Sequence, residues 1–237
     1  MKTTFTKLAV AAVIAGSTLF SGTASAATKV ETTATNQYTA LKTGMTMEQA
    51  AKVLYGKSYK KQLIKKNGST MLKKKATTSS NGEGQKIANY QFFDTKAKVP
   101  PVTTDLTFVT KKKDPVYRLT MKIINITADT KLEARESKMQ LVKGAKLKEG
   151  MTEKQLDAVL TGKGLGDWMT LMTFDFTSIA TKKEIKDGIA GPESIKAYVF
   201  QTTDPKKRMV VNLDYNSKKK VFEVFDFEKV SANSPLY

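Results

Sequence analysis

Gly44-Met45-Thr46-Met47-Glu48-Gln49-Ala50-Ala51-Lys52-Val53-Leu54-Tyr55-Gly56 lies without a gap onto Gly150-Met151-Thr152-Glu153-Lys154-Gln155-Leu156-Asp157-Ala158-Val159-Leu160-Thr161-Gly162. Gly, Met, Thr, Gln, Val, Leu and the closing Gly agree. The agreement has a mechanical meaning. Thr46 and Thr152 stand where a hydroxyl can accept from a free N–H in the first helical turn. Gln49 and Gln155 follow at the reciprocal capping-box position, and Met45 and Met151 can staple back onto Ala50 and Leu156. Gly56 and Gly162 close each helix where a left-handed residue is favoured.

Each copy continues into strand-like segments rich in β-branched and aromatic residues. After the first come Ser58–Lys66, which reads as a second short helix, then strands at Thr70–Thr78, Ile87–Asp94, Asp105–Thr110 and Val116–Ile126. After the second come Trp168–Phe176, Lys196–Thr202, Arg208–Tyr215 and Lys220–Phe227. Turn chemistry separates them: Ser79–Gly84 as a hairpin loop, Asp204-Pro205-Lys206-Lys207 and Asn216-Ser217 as tight turns. Pro100-Pro101 belongs in a connection or at an edge. The expected fold is α+β: two tandem units, each one or two short helices followed by a four-stranded antiparallel sheet.

Period-two counting assigns faces. In Val116–Ile126, Tyr117, Leu119, Met121 and Ile123 share one side, and Arg118, Thr120 and Lys122 the other. Met209, Val211, Leu213 and Tyr215 alternate with Val210, Asn212 and Asp214. In the last strand Val221, Phe225 and Phe227 oppose Phe222 and Val224; in the Trp168 strand, Trp168, Met172, Phe174 and Phe176 oppose Met169 and Leu171. Apolar residues on both faces mean that the units pack there or expose a binding surface.

At the N-terminus, Lys2 and Lys7 precede an uncharged apolar stretch, Leu8 to Phe20, and a small-x-small ending at Ala26. This reads as a signal peptide over residues 1–26, its apolar part too short for a permanent span. Residues 27–37, Thr/Ala-rich, read as a flexible mature N-terminus. Residues 38–127 form unit 1, 128–143 a connector, and 144–237 unit 2. The product is expected to be secreted, without a membrane span.

The chain has no cysteine and no histidine. Export is therefore not used to staple the fold with disulfides, and a hydrophobic core must hold it. The usual zinc and copper ligand sets cannot be assembled, and the commonest general base is missing. Ser58-Tyr59-Lys60-Lys61 matches the Ser-x-x-Lys pattern of penicillin-recognising enzymes, but its partner motifs are not found. Gly162–Gly166 follows a helix and precedes a strand, the reverse of a phosphate cradle. Neither an enzyme nor a cofactor is expected.

Tandem units opening with Gly-Met-Thr-x-x-Gln, a short helix, a Gly and then strands resemble the secreted β-lactamase inhibitor protein (BLIP-like) family. They also resemble its single-unit relatives of the BamE/SmpA type. The resemblance is specific over Gly44–Gly56 and Gly150–Gly162 and rests on topology over the strands. It implies a saddle-shaped sheet surface gripping a target enzyme, with an acid at a hairpin tip entering the target's active site. Here that acid is Glu83, and the candidate gripping aromatics are Tyr90, Phe92, Trp168, Phe174, Tyr198 and Phe200. The family's disulfides and histidine have no counterpart here.

Lys+Arg total 40 against 22 Asp+Glu, a formal charge of +18. Lys73-Lys74-Lys75 and Lys111-Lys112-Lys113 are the densest runs among several in turns. They are either a solvated surface or an attraction to polyanions, such as teichoic acids of a cell wall. Nucleic acid is the weakest choice and is not expected: export argues against it, and Lys dominates without an aromatic-interleaved motif. Two functions follow: a non-enzymatic protein-binding module that inhibits a secreted or surface hydrolase such as a β-lactamase, or an envelope protein binding anionic wall polymers through its lysines.

Overall fold

A computed structural model describes residues 29–94, 96, 102–126, 139–166 and 168–232. The signal peptide, the cleavage point, Pro100-Pro101 and residues 128–138 of the connector lie outside the described residues.

The fold is α+β. Eight strands, β3(Thr77–Ser80), β4(Lys86–Phe93), β5(Val102–Thr110), β6(Tyr117–Ile126), β7(Thr170–Phe174), β8(Glu193–Gln201), β9(Lys207–Asn216) and β10(Val221–Ser231), form one antiparallel sheet in chain order. Instead of two separate sheets there is one, because β6 and β7 pair from Met121↔Phe174 to Asn125↔Thr170. A separate two-stranded sheet, β1(Leu63–Lys66) and β2(Ser69–Leu72), packs against it through Met71 and Leu72.

Helices α1(Lys29–Ala40), α2(Met47–Tyr55) and α3(Glu153–Ala158) cover one face. Met47 and Ala50 of α2 pack with Leu41, Leu72, Tyr90, Leu106, Phe108 and Leu119; Leu156 of α3 packs with Tyr198, Phe200, Val211, Leu213 and Val224. Between them Tyr38 of α1 packs with Val102, Ile124 and Ile126.

Both helices of the quoted motif, α2 and α3, start alike. The Thr46 and Thr152 hydroxyls accept from the N–H of Gln49 and Gln155, whose side chains accept from the Thr N–H at 2.8 Å. The opening glycines have a role that spacing did not reveal. Gly44 (φ +82°) donates to Leu119 O at 2.7 Å and Met45 O accepts from Leu119 N at 2.8 Å. Gly150 (φ +80°) donates to Val224 O at 2.7 Å and Met151 O accepts from Val224 N at 2.8 Å. A residue with a Cβ is strained at that φ. α3 is shorter than expected: it ends at Ala158, because Thr161 N–H turns away to Gln140 O and Leu160 bridges Leu141.

Immediately after each of these clamped residues sits a β-bulge. Phe108 pairs Leu119 and Thr107 pairs Met121, leaving Thr120 extra; Leu213 pairs Val224 and Asn212 pairs Asp226, leaving Phe225 extra. A bulge places two residues opposite one and resets the alternation. This corrects the expected faces. Past Thr120, Lys122, Ile124 and Ile126 turn under α1, while Met121 and Ile123 leave Leu119's side. Past Phe225, Phe227 rejoins Phe222 and Val224 on the helix face. Trp168 packs with both core clusters, apart from Met172 and Phe174.

Three further expectations change. Residues 29–37, expected to be flexible, are helical. Thr32, Thr33, Thr35 and Thr39 are poor helix formers, and tertiary packing overrides them: Tyr38 is buried, and Lys122 bonds the carbonyls at the helix end. The second short helix expected over Ser58–Lys66 is present as a 3₁₀ helix over Gly56–Gln62, and its last residues, Leu63–Lys66, are instead strand β1. Thr70–Thr78 is broken between β2 and β3. The missed signal is Asn67-Gly68, both with positive φ, which closes the β1–β2 hairpin between Lys66 and Ser69. The connection between β7 and β8, residues 175–192, contains α4(Lys182–Lys186), capped by Thr181 and Glu184.

Candidate functional site

Directly paired residues in adjacent strands share a face, so the registers map the side of the sheet away from α1, α2 and α3. One row runs Gln91–Asp105–Ile123–Met172–Ile195–Asp214–Glu223. On one side of it runs Asn89–Thr107–Met121–Phe174–Glu193, and on the other Phe93–Thr103–Asn125–Thr170–Ala197–Asn212–Asp226. At the β6–β8 seam the first two rows place Met121, Ile123, Met172, Phe174 and Ile195 side by side, each half-buried. The middle of the third row is polar, where Thr170 donates to Asn125 Oδ1 at 2.9 Å and Asn212 to Asp226 Oδ2 at 3.2 Å, while Phe93 and Ala197 in it are apolar. Past it on the same face Met169, Val199 and Val210 form a buried apolar cluster with Val230.

Charge is sorted between the two faces. Every acid in the strands of this sheet, Asp105, Glu193, Asp214, Glu223, Asp226 and Glu228, falls on this face, helix-free with respect to α1, α2 and α3, whereas Lys86, Lys122, Lys196, Lys207 and Lys229 fall on the side of those helices. Arg118 and Arg208 are the strand bases on the helix-free face. Burial pushes the Asp105 carboxyl up, opposed by a hydrogen bond from Gln91. Hydrogen bonds from Lys219 and Asn216 hold Glu223 below the usual carboxylate range. Among the described residues no lysine or arginine pairs with Asp105, Glu193, Asp214, Asp226 or Glu228.

The expected gripping aromatics are not brought together. Tyr90, Tyr198 and Phe200 are core residues on the helix side, a correction forced by their strand parity: Tyr90 meets Phe108 edge-on at 5.9 Å and accepts from Leu72 N–H, and Tyr198 stacks on Phe200 at 6.0 Å. Tyr198 also donates to Glu153 Oε1 at 2.8 Å. Phe92 packs on the first core, and Trp168 between the cores. Phe174 alone of the set lies on the helix-free face. Met121, Ile123, Met172 and Ile195 were not singled out; the signal for them was a face count that includes the bulge.

Glu83 sits exposed at the β3–β4 tip, on a turn where Asn81 Oδ1 accepts from Glu83 N–H and Gln85 N–H. The lysine triplets are separated by most of the length of β4. Lys74 leans over Phe92 at 5.3 Å beside Lys73 and Lys75, near the end of β4. Lys111, Lys112 and Lys113 are exposed in the β5–β6 turn, level with the start of β4. Ser58 of the rejected Ser-x-x-Lys pattern donates to Tyr55 O at the end of α2. Among the described residues no helix is long and apolar enough to cross a membrane, and no acids gather as a metal-holding group. Compared with protein-family models, curated proteins and solved structures, the chain matches none.

Proposed function

We propose that this is an exported, non-catalytic protein-binding module of two repeated helix-then-meander units, residues 38–127 and 144–237, whose helix-free sheet face is the contact surface. The observation that carries the reading is the adjoining set Met121, Ile123, Met172, Phe174 and Ile195 on a face that none of α1, α2 and α3 covers. Contiguous apolar surface rimmed by polar groups marks interaction sites. The repetition is supported by device as well as by sequence: capping box, glycine clamp and bulge recur in the same order in each half. The resemblance to secreted β-lactamase inhibitors supplies the target class to try first, a secreted or surface hydrolase.

The test is titration of the mature protein against class A β-lactamases, with pull-down from the producer's envelope and culture fluid, using wild type and Met172→Lys. A saturable partner that binds wild type and releases the variant is expected. A partner held equally by both would overturn the assignment of the face.

The second reading, binding to anionic wall polymers, draws on the exposed Lys111, Lys112 and Lys113. Binding to purified wall should then weaken steeply with salt, and binding that ignores salt would remove it.

A further inference from the structure

We propose that the partner of the helix-free face is a basic polypeptide segment: apolar in the middle, with lysine or arginine on both sides. This rests on the assignment of that face as the contact surface and adds the chemistry of what it meets.

The argument is geometric and electrostatic. Along one cross-strand row the order is acid, three apolar residues, acid: Asp105, Ile123, Met172, Ile195, Asp214. At ordinary strand spacing the backbone positions of Asp105 and Asp214 stand about 19 Å apart. Glu193 and Asp226 extend the acidic border in the neighbouring rows, beside Phe174 and Asn212. Scattered placement in a chain with 40 Lys+Arg and 22 Asp+Glu would make such a surface basic. Instead the strand lysines lie on the other side of the sheet, and Arg118 and Arg208 are the strand bases on this one, against six acids. Acids beside apolar groups lose hydration when a partner covers them, and an opposing cation offsets that loss. An acidic partner would leave them buried beside like charge, which disfavours it. The face thus selects against the anionic partners that the rest of the surface attracts.

Three decapeptides serve as probes: KKLYLTLYKK, and the same sequence with glutamate or glutamine in place of its four lysines. Each is titrated by fluorescence anisotropy into the mature protein, into the triple variant Asp105→Asn, Asp214→Asn, Asp226→Asn, and into Met172→Lys. The lysine peptide is expected to bind wild type, to lose about tenfold in affinity on the triple variant, and to weaken with salt. The glutamine and glutamate peptides should bind more weakly still, and Met172→Lys should bind none. If lysine and glutamine peptides bind wild type equally and Met172→Lys abolishes both, the contact face stands and the charge selection is overturned. If Met172→Lys changes nothing, the face itself is wrong. A preference for the glutamate peptide overturns the proposal, as does concentration-dependent self-association that Met172→Lys abolishes, which would make a second copy the occupant.

Discussion

The Lys122 ammonium lies 3.9 Å from the centroid of the Tyr38 ring while donating to the Tyr38 carbonyl at 2.7 Å and to Leu41 O at 2.9 Å. The residue that β6 turns inward after its bulge is therefore the one that closes the C-terminal end of α1, where cations are favoured. The opposing cost is burial.

Burial, with the nearby charge of Lys42, brings the Lys122 amine down from 10.5 to about 8. Between those values the unfolded chain holds a proton that the folded chain has released, so raising the pH favours the folded state. The gain begins as pH rises through the folded value. From pH 8 to 9.5, before tyrosine ionisation intrudes, stability should increase by roughly 1–2 kcal/mol. Urea unfolding across that range is the measurement, and Lys122→Met should flatten the dependence.

The two capping boxes are matched in geometry, so they should be matched in worth. Thr46→Ala and Thr152→Ala should each cost about 1 kcal/mol. If the loss at one were several times that at the other, the equivalence of the two starts would fail. Denaturant midpoints of the single and double variants decide it, with additivity expected for sites this far apart.

Adjacent isoleucines in β6 should respond oppositely. Ile124 is fully buried beneath α1, and Ile123 is half-buried on the helix-free face. Ile124→Ala should cost about 2–5 kcal/mol, whereas Ile123→Asn should cost under about 1 kcal/mol while impairing partner capture. Thermal unfolding of the two variants checks the face assignment without knowledge of any partner.

Glu153 Oε1 accepts from both Lys196 Nζ and Tyr198 Oη at 2.8 Å, tying the start of α3 to β8. Glu153→Ala should destabilise by about 1–3 kcal/mol, because two largely buried donors lose a shared acceptor. Glu153→Gln, which keeps an acceptor, should lose less in the same urea assay.

Legibility followed periodicity and stopped where periodicity is interrupted. Thr46, Gln49, Thr152 and Gln155 announce their helices because a cap is a local device whose parts lie within four residues. Strand positions for β4, β6, β9 and β10 were readable to within a few residues from β-branched and aromatic runs. Sidedness was not. An extra residue at Thr120 or Phe225 has no composition of its own, and each is fixed by a bond from a glycine segment far away in sequence. The helix α1 was hidden because its threonines argue against it, and its support, Lys122, lies 84 positions from Tyr38. The candidate contact face was hidden for the same reason as the bulges: Met121 and Ile123 are counted inward unless Thr120 is skipped.

That skipped residue has a consequence for how the gene tolerates insertions and deletions. Losing codon 120 removes the bulge yet leaves Leu119, Lys122, Ile124 and Ile126 pointing inward. Losing a codon nearer Ile126 must reverse every side chain between it and the bulge, bringing Met121 and Ile123 in and putting Lys122 out. In a scan of single-codon deletions along Tyr117–Ile126, soluble yield should be best at Thr120 and its neighbour Met121, and fall toward the end of the strand. Such a bulge acts as slack in the lineage of the protein, the place where β6 can change length without changing sides.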